Sequence, residues 1–115
     1  WPGPLTLVVP RHPELPQAVS PTPTVGVRVP DHPVALRLLA ATGPMAVTSA
    51  NRAGAPSART AAQVLAELEG RIDIVIDGGE TPGGEPSTVA DCTGERPVIL
   101  RKGPVTAEEI VDALA

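Results

Sequence analysis

Pro4-Leu5-Thr6-Leu7-Val8-Val9-Pro10 decides how the chain is read: a short, mainly aliphatic run closed at both ends by proline. That length and those flanks belong to a buried strand and not to a helix. Downstream, the prolines at 13, 16, 21 and 23 interrupt any ladder, so residues 11–23 form a surface connection. Val25 to Val29 predicts a second strand, ended by Pro30. Pro33 sits where a first helical turn tolerates it, and Val34 to Ala41 predicts a helix stopped by Gly43-Pro44. That helix is apolar on nearly every side, so both of its faces are expected to be covered. Met45 to Thr48 predicts a third strand, and the loop Ser49 to Ser57 leads into another helix. There Thr60 and Gln63 have capping-box spacing, while Ala61, Val64, Leu65 and Leu68 share one face until Gly70. Ile72, Ile74 and Ile76 alternate with Asp73, Val75 and Asp77, which is strand periodicity. After the Gly-rich stretch Gly78 to Pro86 come two more strands, Thr88 to Asp91 and Val98 to Arg101. Thr106 and Glu109 form a second capping box ahead of a last helix with Ile110, Val111 and Leu114. Strands and helices alternate only in part, so the fold class is α/β with α+β character: a twisted sheet of mixed direction with flanking helices.

The whole chain has 115 residues, enough for one domain with one core. One Trp and no Phe or Tyr mean that this core is aliphatic. Fifteen Pro and eleven Gly imply frequent turns between short elements. A net charge of −4 argues against a surface built throughout for nucleic acid, although a local basic cleft is compatible with it. The single Cys92 has no intramolecular disulfide partner, and neither a membrane-spanning run nor a signal pattern is present, so a cytoplasmic protein is the simplest expectation. His12 and His32 lack metal-ligand spacing to each other or to Cys92, and no structural metal site is expected.

Loops that leave strand ends carry the candidate chemistry, because a sheet fixes them while their polar atoms stay free. In Thr48-Ser49-Ala50-Asn51 a hydroxyl and an amide alternate and could enter one cleft, yet Ser and Asn are equally ordinary turn residues. The loop ending in Glu85-Pro86-Ser87-Thr88 lacks the Gly-Lys-Ser/Thr ending of a Walker loop. Arg101-Lys102-Gly103 closes the last strand and holds the one Lys of the chain. Arg28 is expected inside a strand, between Val27 and Val29, where its guanidinium needs an anionic partner or open water. Arg59, just before Thr60, is ambiguous in the same way. Asp73, Asp77 and Asp91 read as strand-face or strand-end carboxylates and not as metal ligands.

Taken in order, Trp1-Pro2-Gly3-Pro4-Leu5-Thr6, Val27-Arg28-Val29-Pro30 with His32-Pro33, Thr48-Ser49-Ala50-Asn51 with Gly54 and Pro56-Ser57, Asp77-Gly78-Gly79, Pro86-Ser87-Thr88-Val89 and Leu100-Arg101-Lys102-Gly103-Pro104 resemble the YrdC-type threonylcarbamoyl-adenylate synthases. The resemblance covers essentially the whole chain. It implies a YrdC-like fold with a concave active face. It also implies formation of threonylcarbamoyl-adenylate and pyrophosphate from L-threonine, bicarbonate and ATP, for threonylcarbamoyladenosine at tRNA position 37. By matching motifs, Arg28, Ser49 and Ser87 would hold threonine. Thr24, Asn51, Arg59 and Arg101 would contact ATP, which is expected to bring magnesium; Thr24 and Arg59 are placed by spacing from neighbouring motifs. Family members carry further sequence before the Trp-Pro-Gly-Pro string, including a Lys-x-Arg motif. The chain is therefore expected to be the C-terminal two-thirds of a single YrdC-like domain, lacking its N-terminal part and impaired alone. Beyond its small substrates, tRNA or the tRNA-modification machinery is the expected partner, with no membrane. Two alternatives resemble it: the related domain of hydrogenase-maturation carbamoyltransferases, and a non-catalytic double-stranded RNA-binding module.

Overall fold

The structure is a computed structural model that describes residues 1–82 and 85–115. Gly83 and Gly84, part of the expected Gly-rich loop, lie outside the described residues. The chain divides into two compact units, one made of Trp1–Pro44 with Glu85–Ala115 and the other of Met45–Gly84.

The first unit is built on four strands: β1 (Leu5–Pro10), β2 (Thr24–Val27), β3 (Thr88–Asp91) and β4 (Val98–Arg101). Their order is β2-β1-β3-β4. The run that opened the reading, β1, is thus an inner strand, antiparallel to β2 and parallel to β3, while β4 returns antiparallel to β3. The sheet has the mixed direction expected. Its register matches Leu7 to Val27, Thr6 to Val89 and Val89 to Arg101, with an irregularity between Val89 and Ala90. β1 is half-buried, less covered than the buried strand expected from its sequence.

Two helices belong to this unit. Helix α1 (Pro33–Thr42) starts on Pro33 and stops at Gly43, whose φ of 77° lies in the region where a Cβ is costly. None of its residues is buried, so the two-sided cover expected from its apolar sequence is not found. The last helix (Ala107–Leu114) opens on the complete capping box: Glu109 N–H donates to Thr106 Oγ1, and Thr106 N–H donates to a Glu109 carboxylate oxygen at 2.7 Å. Its Ile110 is buried, and with Leu5 and Leu7 it lines an apolar groove of about 300 Å³. Side chains alternate along a strand, so Thr6 faces away from that groove.

Thr88, 1% exposed, ties the sheet to the approach of the last helix. Its hydroxyl donates to Val105 O at 2.7 Å and accepts from Val105 N–H at 3.0 Å, satisfying a buried polar group in both senses. At the end of β4, Gly103 lies so close to the backbone of residues 86–88 that a Cβ there would run into Thr88 N and approach Pro86 O to 2.6 Å.

Among its described residues the second unit contains one helix, Ala61–Leu68, which makes it α2 and the Ala107–Leu114 helix α3. Thr60 caps it as the spacing predicted, accepting from Gln63 N–H at 3.2 Å. Gln63 Oε1, however, takes the N–H of Arg59 at 2.7 Å, one residue earlier than the cap residue expected. Neither Met45 to Thr48 nor residues 72–77 forms a strand. The alternation of Ile72, Ile74 and Ile76 supplies a side-chain pattern, but a strand exists only where a neighbour takes its N–H and C=O groups. No ladder reaches either segment among the described residues. Val47 and Ile74 are consequently 87% and 80% exposed.

Candidate functional site

Strand directions assemble one end of the first unit's sheet. β1 and β3 begin there, while β2 and β4, which run against them, finish there. Ser87 precedes β3, Arg101 ends β4, Arg28 follows β2, and Thr6 is near the start of β1. Three of the residues singled out in the sequence therefore share one end of a four-stranded sheet. Arg28 lies one residue beyond β2 and not within it, as the sequence had suggested.

Ser87 is the centre of this group and only 7% exposed. Arg101 wraps it: Nε and Nη2 both donate to Ser87 O, at 3.0 and 2.8 Å, and Nη2 also donates to Ser87 Oγ at 3.2 Å. A guanidinium has five N–H donors in a fixed fork, so this arrangement leaves the Nη1 pair for a ligand. On its other side Ser87 Oγ meets Thr6 Oγ1 at 2.9 Å. Arg28 is anchored in the same manner, its Nε donating to Gly3 O at 3.0 Å, while Gly3 N–H donates to Val29 O. Its remaining donors have no partner among the described residues.

Thr24 is not part of this group. It pairs with Pro10 at the opposite end of β2, about 13 Å along the strand from Arg28. Its carbonyl accepts from the hydroxyls of Ser20 and Thr22.

The remaining candidates stand in the second unit. Ser49 is exposed. Asn51 is held by its Nδ2, which donates to Arg52 O at 3.0 Å and to Ala55 O at 2.9 Å. These two acceptors fix the amide orientation and leave Oδ1 buried without a donor among the described residues. Arg59 Nη2 pairs with Glu80 Oε1 at 3.1 Å on an exposed surface. Asp77 accepts from Gly79 N–H, and Asp91 accepts from the N–H and hydroxyl of Thr93, as turn-closing carboxylates do. The Thr93 hydroxyl, and after it the Thr93 N–H, hold the Asp91 carboxyl below its ordinary pKa. Among the described residues no three His, Cys, Asp or Glu side chains converge as metal ligands, and no helix is long and apolar enough to cross a membrane.

The sequence reading missed Thr6 and the bridging role of Thr88. Thr6 had a visible mark: it is the one hydroxyl within the aliphatic run 5–9. Thr88 had none, because its partner Val105 is met only through the tertiary fold.

A mixed sheet that holds a nearly buried hydroxyl between a guanidinium and a second hydroxyl at one end places the molecule among α/β proteins that gather anion-binding groups where strands end. Residues 1–103 match the Sua5/yciO/yrdC family model, described as telomere recombination, and the chain belongs to that family. It is 45% identical over 113 residues to the threonylcarbamoyl-AMP synthase of Bacillus subtilis, covering 96% of this chain and 33% of that protein. The crystal structure of Pyrococcus abyssi Sua5 complexed with L-threonine superposes with a TM-score of 0.89 at 44% identity, covering 99% of this chain and 34% of the other. Escherichia coli YciO gives a TM-score of 0.83 at 33% identity, covering 95% of this chain and 54% of the other. The chain thus spans between a third and somewhat over half of these three proteins.

Proposed function

We propose that the protein takes part in forming threonylcarbamoyl-AMP and pyrophosphate from L-threonine, bicarbonate and ATP, the activated intermediate for threonylcarbamoyladenosine in tRNA. The observation that carries this reading is Ser87, gripped by Arg101 and Thr6 at the sheet end that also presents Arg28. In support, the chain shares 44% identity with a protein whose structure contains L-threonine.

In this scheme Arg28 pairs with the threonine carboxylate, and Ser49 and Ser87 hydrogen-bond the amino acid. Arg101 turns its Nη1 donors to phosphate, joined by Arg59, while Thr24 and Asn51 contact other parts of ATP. The buried Asn51 Oδ1 suits an N–H donor, such as an amino group of the base. Two bonds form: the threonine nitrogen to the bicarbonate carbon with loss of water, then a carbamate oxygen to the α-phosphorus with pyrophosphate as leaving group. The protein's share is to align the reactants and to neutralise charge on the phosphates. Magnesium would enter on the ATP phosphates, which suits a cation that keeps much of its water.

The 115 residues stand as the C-terminal part of a larger YrdC-like domain in this reading, and the reaction takes place in the cytoplasm. Pyrophosphate release by the whole protein should require threonine, bicarbonate and ATP together. Release that ignores threonine would sink the proposal. The 115 residues alone should turn over far more slowly, and full threonine-dependent turnover would overturn that part of it.

A further inference from the structure

Ser87 Oγ is the best-fixed polar atom of the proposed threonine site, and its hydrogen-bond inventory has a consequence for what it can recognise. A serine hydroxyl has one proton to donate and two lone pairs to accept. Arg101 Nη2, which can only donate, occupies one lone pair from 3.2 Å. Thr6 Oγ1, at 2.9 Å, is the other neighbour, and either oxygen could be the donor of that bond. If Thr6 donates, both lone pairs of Ser87 are taken and its proton is free for a ligand. If Ser87 donates, its proton is used inside the protein.

Thr6 is held where it can make that choice. Its methyl group, Cγ2, would lie 3.2 Å from a Cβ at Gly26 on the neighbouring strand, so the absence of a side chain at Gly26 leaves room for it. Strand alternation turns Thr6 away from the Leu5 and Leu7 face. Ser87 itself is pinned from behind, where Gly103 packs on the backbone of residues 86–88.

We infer that Thr6 is a positioning residue: by donating to Ser87 it takes the second lone pair of that hydroxyl and leaves its proton for the ligand, so that this side of the site presents a donor to an acceptor oxygen of the amino acid. This inference rests on the proposed contact between Ser87 and threonine. A ligand acceptor approaching Ser87 draws the shared hydrogen bond into the Thr6-donating form.

The test is L-threonine binding, by calorimetry on the whole protein, to Thr6→Val, Thr6→Ser, Ser87→Ala and the double variant Thr6→Val with Ser87→Ala. Thr6→Val should weaken threonine binding about fivefold, as expected for one lost hydrogen bond. Thr6→Ser should restore threonine affinity to within about twofold. On the Ser87→Ala background, Thr6→Val should have no further effect. Three-bond Hα–Hβ couplings should show one Ser87 rotamer in the unsubstituted protein and in Thr6→Ser, and an averaged one in Thr6→Val. An unchanged threonine affinity in Thr6→Val, beside a weakened one in Ser87→Ala, overturns the inference and leaves the threonine reading standing. An equal Thr6→Val effect with and without Ser87 overturns it too, because Thr6 would then act independently. If Ser87→Ala leaves threonine binding intact, the site assignment fails first and the inference falls with it. Should Thr6→Val not fold, Thr6→Cys, with a weaker donor in the same place, takes its role: threonine binding should weaken about threefold, and unchanged affinity overturns the inference.

Discussion

Arg59 and Arg101 carry the same charge and meet it differently. Arg101 is bound to its own chain through a backbone carbonyl and a hydroxyl, neither of which competes for its charge. Arg59 instead faces Glu80, so a phosphate reaching Arg59 must displace a carboxylate. Both partners of that pair are about half exposed, which keeps the competition weak. Glu80→Gln should therefore raise ATP affinity about twofold at low ionic strength and less at high salt, as calorimetry at two salt concentrations can read. No change at either concentration would place Arg59 away from the phosphates.

Among the elements, α3 is the one most fully readable beforehand. Thr106 and Glu109 are three residues apart, so their capping box is a local device that needs no distant partner. The N–H of Thr106, and next its hydroxyl, hold the Glu109 carboxyl below its ordinary pKa. A group whose pKa is lowered by folding adds stability above its unfolded value and loses that contribution as pH falls through the folded one. The first turn of α3 should therefore fray as pH drops below the ordinary glutamate range, followed by the amide shifts of residues 107–110. Glu109→Gln should remove that acid limb. At the other extreme, residues 45–48 and 72–77 have the composition of strands, but pairing depends on a neighbour that sequence alone does not supply. The same dependence separates the site residues. Ser87 and Arg101 could be picked from their loops, whereas Thr6, though marked as the one hydroxyl of its run, gains its partner only when β1 is laid beside β3. Gly103 belongs with them, since its reason for lacking a side chain lies fifteen residues upstream at Thr88. Gly103→Ala should cost about 2 kcal/mol from overpacking, seen as a lower urea midpoint. A midpoint equal to that of the unsubstituted chain would mean that the backbone of 86–88 yields without cost.

Across the whole molecule, apolar side chains exceed the cover available to them. Val47, Ile74 and Ile76 are all more than half exposed, in segments with strand-like composition and no ladder among the described residues. Such segments attract other chains through their free backbone groups and apolar faces. The isolated 115 residues should bind an apolar dye and associate as concentration rises, and Val47→Lys with Ile74→Lys should reduce both. Sedimentation that shows a monomer at every concentration before any substitution would contradict this.

The contact-dense units have unequal topological standing. Residues 45–84 leave and rejoin one sheet-bearing body, between α1 and the approach to β3. None of the four strands lies within them, so they form a cassette spliced into a crossover connection. Substitutions there can accumulate without rewriting a single cross-strand partner of β1. A change at Asn51 or Arg59 thus alters no strand pairing and none of the hydrogen bonds that Ser87 makes with Thr6 and Arg101.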